Sequence, residues 1–261
     1  MHKGPIDYIK NEHENSDDHG NAQFLPERLI DMGVGTLRLV DRESIRLDSA
    51  EQPQYCALSY CWGPRKDAKS QTRVVKNNIQ QYTESLDFDV LSSVLKDAVK
   101  VTRSLSIPYL WVDSLCILQD NISDWQRQCS QMNDIYGKAR VTLIVTSSRT
   151  CKEGFLSPER HELRFPYQST RSPGINGFFM MNFTHAYGEV HFLSSPPNVN
   201  DVDQELLYSQ WARRGWTFQE EAMAGARIVF GHLGVYLGHY NEYMSKDGPA
   251  GAAASKSVSS L

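Results

Sequence analysis

Residues 109–118 read YLWVDSLCIL. A short apolar run, preceded by Pro108 and followed by the polar pair Gln119-Asp120, is the pattern of a strand buried on both faces. Upstream, Asp89 precedes Val90, Leu91, Val94, Leu95, Ala98 and Val101. Their spacing is that of an amphipathic helix, with Asp87 or Asp89 placed to cap it. Further upstream, Gln54 to Tyr60 (QYCALSY) reads as a strand that stops at Trp62-Gly63-Pro64, where Gly and Pro mark a sharp turn. Downstream, Ser123 with Gln126 three residues on forms a capping box. It opens a predicted helix from Ser123 to Lys138 with Trp125, Cys129, Met132, Tyr136 and Ala139 along one face. Val141 to Thr146 (VTLIVT) is the next buried strand. Strand, helix, strand, helix, strand over residues 55–146 predicts an α/β domain. Its sheet is expected to be mostly parallel, flanked by helices and joined by right-handed crossovers.

The remaining segments add to this frame. Thr36 to Val40 alternates as a short strand, and Lys66 to Asp87 reads as loop with some helix. Cys151 to Phe165 and Ser194 to Asn200 read as loops, and Ile175 to Phe192 as a β-hairpin. Leu206 to Met223 is expected to be one helix. Ala226 to Phe230 and Val235 to Tyr240 are expected as closing strands, added antiparallel. The domain is expected over residues 25–244, with a mobile polar arm at 1–24 and a disordered Gly/Ala/Ser-rich tail at 245–261.

The 261 residues carry a formal net charge of -4, with 40% hydrophobic and 22% charged residues. That is an ordinary globular composition without the basic excess of a nucleic-acid binder. A run long enough to span a membrane and the apolar segment of a secretory signal are both lacking. The five cysteines (Cys56, Cys61, Cys116, Cys129 and Cys151) are odd in number and form no C-x-x-C pair. They are expected as reduced thiols of a cytoplasmic protein. No dinucleotide glycine fingerprint, phosphate loop or nucleophile elbow occurs, and the eight histidines show no zinc-ligand spacing. No metal is therefore expected.

Three segments carry candidate chemistry. They are Tyr55 to Gly63 (YCALSYCWG), Leu110 to Asp120 (LWVDSLCILQD) with the following Asp124-Trp125, and Arg213 to Glu220 (RRGWTFQE). Ser59, Tyr60 and Trp62 end one predicted strand, and Asp113, Gln119 and Asp120 end another. Open α/β sheets bind ligands outside such strand ends. On a continuous late helix Arg213, Trp216 and Glu220 share a face, with Gln219 adjacent. Arginine offers bidentate contacts to phosphate and tryptophan a stacking plane, a set suited to a nucleotide. Each residue also has a structural role open to it. Asp113 suits a buried ion pair with Arg213 or Arg214. The tryptophans suit the core, Glu220 and Glu221 a solvated helix face, and Asp124 compensation of a helix dipole.

In order and spacing these three segments resemble the fungal heterokaryon-incompatibility (HET) domain family. The resemblance is dense over residues 55–150 and 211–231, with a variable insert between. It implies an intracellular domain of self/non-self recognition and programmed cell death, remotely similar to Toll/interleukin-1 receptor (TIR) domains and their flavodoxin-like core. Some TIR domains cleave NAD, using a glutamate on the helix that follows the third strand-loop block. The resemblance thus implies NAD as a substrate rather than a required cofactor, with Asp113, Asp124 and Glu220 as candidate catalytic carboxylates. Ser59, Tyr60, Trp62, Gln119, Asp120, Arg213, Trp216 and Gln219 are candidates for binding. Self-association and contact with other incompatibility or immune-type proteins are the implied partnerships. Two departures bear on catalysis: Leu118 stands where the family has Asp or Asn, and residues 123–138 contain no glutamate. A non-catalytic interaction module of the same pathway is the alternative.

Overall fold

A computed structural model describes residues 24–33, 35–45, 53–156, 161–168, 176–186, 189–192, 201–214, 217–239, 242–245 and 254–255. The expected arm falls outside them except for Phe24, as does the expected loop at 194–200. Within the expected tail, Ala254 and Ser255 pair with Glu242 and Tyr243 as a short strand.

Four strands are parallel. They are β3 (Tyr55–Tyr60), β4 (Tyr109–Val112), β5 (Val141–Val145) and β9 (Ala226–Phe230). In space they run β4-β3-β5-β9. Antiparallel strands complete both edges. β1 (Arg28–Asp31) pairs with β4, and β2 (Arg38–Asp41) lies outside it. β10 (Val235–His239) pairs with β9, followed by β11 (Glu242–Ser245) and β12 (Ala254–Ser255). The sheet is therefore mixed, a correction to the mostly parallel expectation. At one edge β9 leads to β10 through a short antiparallel connection that needs no crossover helix, and at the other the short hairpin β1–β2 pairs with β4. A separate antiparallel sheet is built from β6 (His161–Gln168), β7 (Asn176–Ala186) and β8 (Glu189–Phe192). It contains the expected hairpin, with β6 replacing part of the expected loop.

Side chains alternate along β3, so Tyr55, Ala57 and Ser59 face one side and Cys56, Leu58 and Tyr60 the other. The Tyr55 hydroxyl donates to the Ile135 carbonyl at 2.6 Å, from helix α6 (Met132–Gly137). Ser59 donates to Glu220 of helix α8 (Thr217–Met223). On the other side, the Cys56 thiol meets Thr102 of helix α3 (Ser93–Ser104). Two short helices, α1 (Arg65–Ser70) and α2 (Ile79–Glu84), precede α3, and helices thus cover both faces. Val94, Leu95, Ala98, Val99 and Val101 of α3 join a large core with Leu58, Tyr60, Leu143 and Val145. Burying each such Val or Leu stabilises by about 1.5–3 kcal/mol. Across the sheet, Trp111 meets Tyr136 edge-on at 5.6 Å between ring centroids. A second cluster joins Ile144 and Val229 to Val202 and Leu206 of helix α7 (Asp201–Tyr208), to Trp211 and to Tyr236.

Several expected elements are shorter or broken. β4 stops at Val112, where Asp113–Cys116 forms a helical turn (α4). The expected helix from Ser123 is two helices, α5 (Ile122–Ser130) and α6. Asn121 caps α5, accepting from the Ser123 and Asp124 amides. Trp125 is 41% exposed while Asp124 and Gln128 are buried. The reason is an ion pair: Arg28 of β1 donates to Asp124 at 2.5 Å and to the Cys116 carbonyl at 2.8 Å. Asp124 also accepts from the Leu118 amide at 2.8 Å and from Arg127 at 2.5 Å. A hydrophobic-periodicity argument ranks Trp125 inward. The buried arginine draws Asp124 there instead. All five cysteines are unpaired. No helix among the described residues is long and apolar enough to cross a membrane.

At the far end, Glu205 of α7 is fully buried and accepts from the Leu233 amide at 2.6 Å and the Thr146 hydroxyl at 3.1 Å. A Cβ on Gly231 would lie 2.2 Å from its carboxyl carbon. Gly231→Ala is expected to destabilise by about 1–3 kcal/mol, because the carboxylate cannot retreat without losing both donors. Urea denaturation in wild-type and Glu205→Ala backgrounds checks this, and the cost should largely vanish in the second. Asp124→Ala is expected to cost about 3 kcal/mol, since it removes the buried partner of Arg28 and leaves only the more exposed Glu27, at 3.2 Å, as counter-charge. Replacing both partners by apolar residues should restore most of that loss in the same measurement.

Candidate functional site

Numbered along the chain, the four parallel strands are ordered second, first, third, fourth. The order reverses between β3 and β5, and the carboxyl ends of strands beside such a reversal frame a crevice. The end of β3 lies there, with the end of β4 beside it on its other side, and three chain segments meet over β3 and β4.

The first segment is the end of β3. After Tyr60 the chain turns through Cys61, Trp62 and Gly63. Gly63 has φ +85°, and a Cβ there would lie 2.6 Å from Thr150 Cβ, so both conformation and space demand glycine. The turn carries half-buried Trp62 over Asp113, and the indole N–H donates to the Asp113 carboxylate at 3.0 Å. The second segment is the end of β4. Asp113 opens α4 and accepts from the Ser114 amide at 2.7 Å, which holds its carboxylate at the start of the turn. The third follows the insert. Trp211–Arg213 forms a 3-10 turn, Arg214 leaves it in extended conformation, and α8 begins at Thr217.

Arg214 joins these parts. Its Nη2 lies 3.8 Å from Asp113 and 3.8 Å from Glu220, while Nη1 donates to the Tyr60 carbonyl. The two carboxylates thus lie no further apart than about twice that distance. Glu220 also accepts the Ser59 hydroxyl proton, and Ser59 accepts the Trp211 indole N–H at 2.7 Å. Beneath them the Tyr60 hydroxyl donates within the core, with Gln71 at 2.8 Å and Ser114 at 3.1 Å as partners. The Asp113 side chain is 18% exposed and Arg214 24%, against 7% for Glu220. The cluster is therefore shielded on the Glu220 side and opens toward Asp113 and Arg214.

Burial pushes the Asp113 carboxyl up to about 6, with Arg214 opposing and Glu220 reinforcing the rise. Burial likewise raises the Tyr60 hydroxyl well above its ordinary range. One guanidinium shared by two carboxylates leaves a surplus negative charge, in a setting where an electron-poor group is stabilised.

Of the residues expected here, Ser59, Trp62, Asp113 and Glu220 come together, and Tyr60 contributes its carbonyl. The others do not join. Asp124 is held by Arg28 and Arg127 and is 2% exposed. The Gln119 amide donates to the Asp113 and Ile117 carbonyls at 2.9 Å, stitching α4. Asp120 is exposed and accepts from the Lys76 amide at 3.0 Å. Arg213 is exposed, and Arg214 occupies the place expected of it. The cause is the broken helix: the 3-10 turn and extended Arg214 shift the phase by one residue. Trp216 and the Gln219 side chain lie outside the described residues. Trp211, as donor to Ser59, was not anticipated, because an apolar ring signals core and its single N–H gives no pattern in a sequence.

Comparison with family models matches residues 55–220 to the heterokaryon incompatibility protein (HET) family. No curated protein and no solved structure matches the chain. The matched segment runs from the first residue of β3 to Glu220 and so contains every side chain of the cluster. With well over half of its length covered by that match, this chain belongs to the heterokaryon incompatibility protein (HET) family.

Proposed function

We propose that this chain acts in heterokaryon incompatibility and its cell-death response by cleaving NAD at the nicotinamide–ribose bond. The observation that carries this reading is the position of Glu220. The TIR-type resemblance asks for a glutamate on the helix after the third strand block. Residues 123–138 hold none, but β5 is the third parallel strand and α8 precedes the fourth. Glu220 sits on α8, tied to the end of β3 through Ser59 and to Arg214.

In the proposed reaction the bond from ribose C1′ to the pyridinium nitrogen breaks, and its electron pair neutralises the ring. The ribose becomes oxocarbenium-like, and the Glu220 carboxylate stabilises that charge. Water adds at C1′ and gives up a proton, which Asp113 is placed to accept. Arg214 holds the two carboxylates and engages phosphate oxygens, and half-buried Trp62 flanks the sugar or ring. Self-association, in a cytoplasmic setting, belongs to the same proposal. The alternative is a non-catalytic oligomerisation module, and the slight exposure of Glu220 favours it.

Nicotinamide release from NAD by concentrated protein with a crowding agent separates the two. Turnover is expected in the wild type and in Arg213→Ala, with a loss of about 10²–10³-fold in Glu220→Gln. A folded wild-type protein without turnover overturns the enzymatic reading and leaves the module.

The raised carboxyl of Asp113 also predicts a pH dependence of stability. The folded state holds its proton up to about pH 6, while an unfolded aspartate releases it near 3.8. Between those values the native state binds more protons, so this group's contribution is full below the lower value and is lost as pH rises through the upper one. Urea midpoints of wild type and Asp113→Asn measured from pH 4 to 7 should diverge, with the variant gaining relative stability as pH rises.

A further inference from the structure

Trp211 lies in the second apolar cluster, 3% exposed, packed with Ile144, Val229 and Tyr236. Its one polar atom leaves that cluster to meet Ser59 at 2.7 Å. An indole N–H only donates, whereas a serine hydroxyl donates once and accepts. Trp211 therefore occupies a lone pair of Ser59 Oγ and forces the hydroxyl proton to point elsewhere. The acceptor in line is Glu220 Oε2, while Arg214 faces Oε1. Ser59 is 1% exposed, which removes it as a nucleophile toward any ligand and leaves this relay as its polar role.

We infer that Trp211 is a positioning residue for Glu220: through Ser59 it fixes one carboxylate oxygen as a hydrogen-bond acceptor and turns the other toward Arg214 and the open side of the cluster. This rests on the proposed role of Glu220. Trp211 does not touch the ligand. Its effect is to keep the carboxylate from rotating, so that its charge lies where the cation forms. The relay also ties the site to α7 and β9 through the packing around the indole. Among the described residues, Arg214, Asp113 from the end of β4, and Tyr136 from α6 face Glu220.

The test has two independent arms. In ¹⁵N-labelled protein the Trp211 indole N–H signal is assigned by its loss in Trp211→Phe. It is expected to move upfield in Ser59→Ala, and to move in Glu220→Gln although the glutamate does not touch the indole. An indole signal indifferent to Glu220→Gln overturns the relay, whatever the protein's activity. In the second arm, Trp211→Phe and Ser59→Ala should each lower kcat for NAD cleavage about tenfold with KM little changed. The double variant should be no slower than Ser59→Ala alone. Additive losses, or full kcat in a folded Trp211→Phe protein, overturn the inference and leave the NAD reading intact. A wild type without turnover defeats that reading, and the inference with it, even if the indole arm shows the three side chains coupled. If Trp211→Phe does not fold, the signal in Ser59→Ala is assigned by elimination against single variants of the other tryptophans, and Ser59→Ala carries the kinetics.

Discussion

Two carboxylates brought to adjacent strand ends and largely removed from water repel each other, and the repulsion grows as the surroundings become less polar. Arg214 is the cation that makes this arrangement tenable, facing Asp113 from β4 and Glu220 from α8. Its other nitrogen is bound to the Tyr60 carbonyl at the end of β3. One side chain thus joins the first and second parallel strands to the helix that leads into the fourth. The rest of the site follows. The Trp62 turn closes over Asp113, Ser59 is directed at Glu220, and the surplus negative charge remains on the more exposed side of the cluster.

A second buried cation plays a comparable part at the other edge. Arg28 comes from β1, upstream of the segment that matches the family. It binds Asp124 and the Cys116 carbonyl, so the antiparallel hairpin β1–β2, strand-paired with β4, is also tied to α4 and α5 through this arginine. Glu27 extends the network to Arg127 and Gln128. Breaking such a pair from one side is costly because the partner stays buried. The matched segment therefore relies on flanking chain at both ends. β1 supplies a counter-charge, and β9 supplies the fourth parallel strand beyond residue 220.

Much of the fold was legible in residue order. The runs at 55–60, 109–112 and 141–145 are largely apolar because both faces of a parallel core are covered, and helical periodicity over 90–101 marked α3. The site was half legible. Ser59, Trp62, Asp113 and Glu220 could be named because residues at strand ends and in a charged late segment stand out from apolar surroundings. Asp124 stood out for the same reason and proved to be an ion-pair residue of α5. A sequence does not say which buried carboxylate faces a structural arginine and which faces a crevice. Arg213 and Arg214 were indistinguishable until the chain was seen to leave the helical path at 211–214.

Sequence by itself determined the alternation of strand and helix, the apolar faces that bury, the glycine at position 63 and the supply of carboxylates and arginines in three segments. These are local properties, set by side-chain chemistry and by the periods of strand and helix. Only the tertiary structure decided the spatial order of the strands, the mixed character of the sheet, the choice of Arg214 over Arg213 and the direction of the Trp211–Ser59–Glu220 relay. Each of those depends on residues far apart in the chain, 161 positions for Ser59 and Glu220, meeting in three dimensions. A hydrogen-bond donor or an ion has no partner in the sequence, and which group it meets is settled by strand pairing and packing across the whole domain.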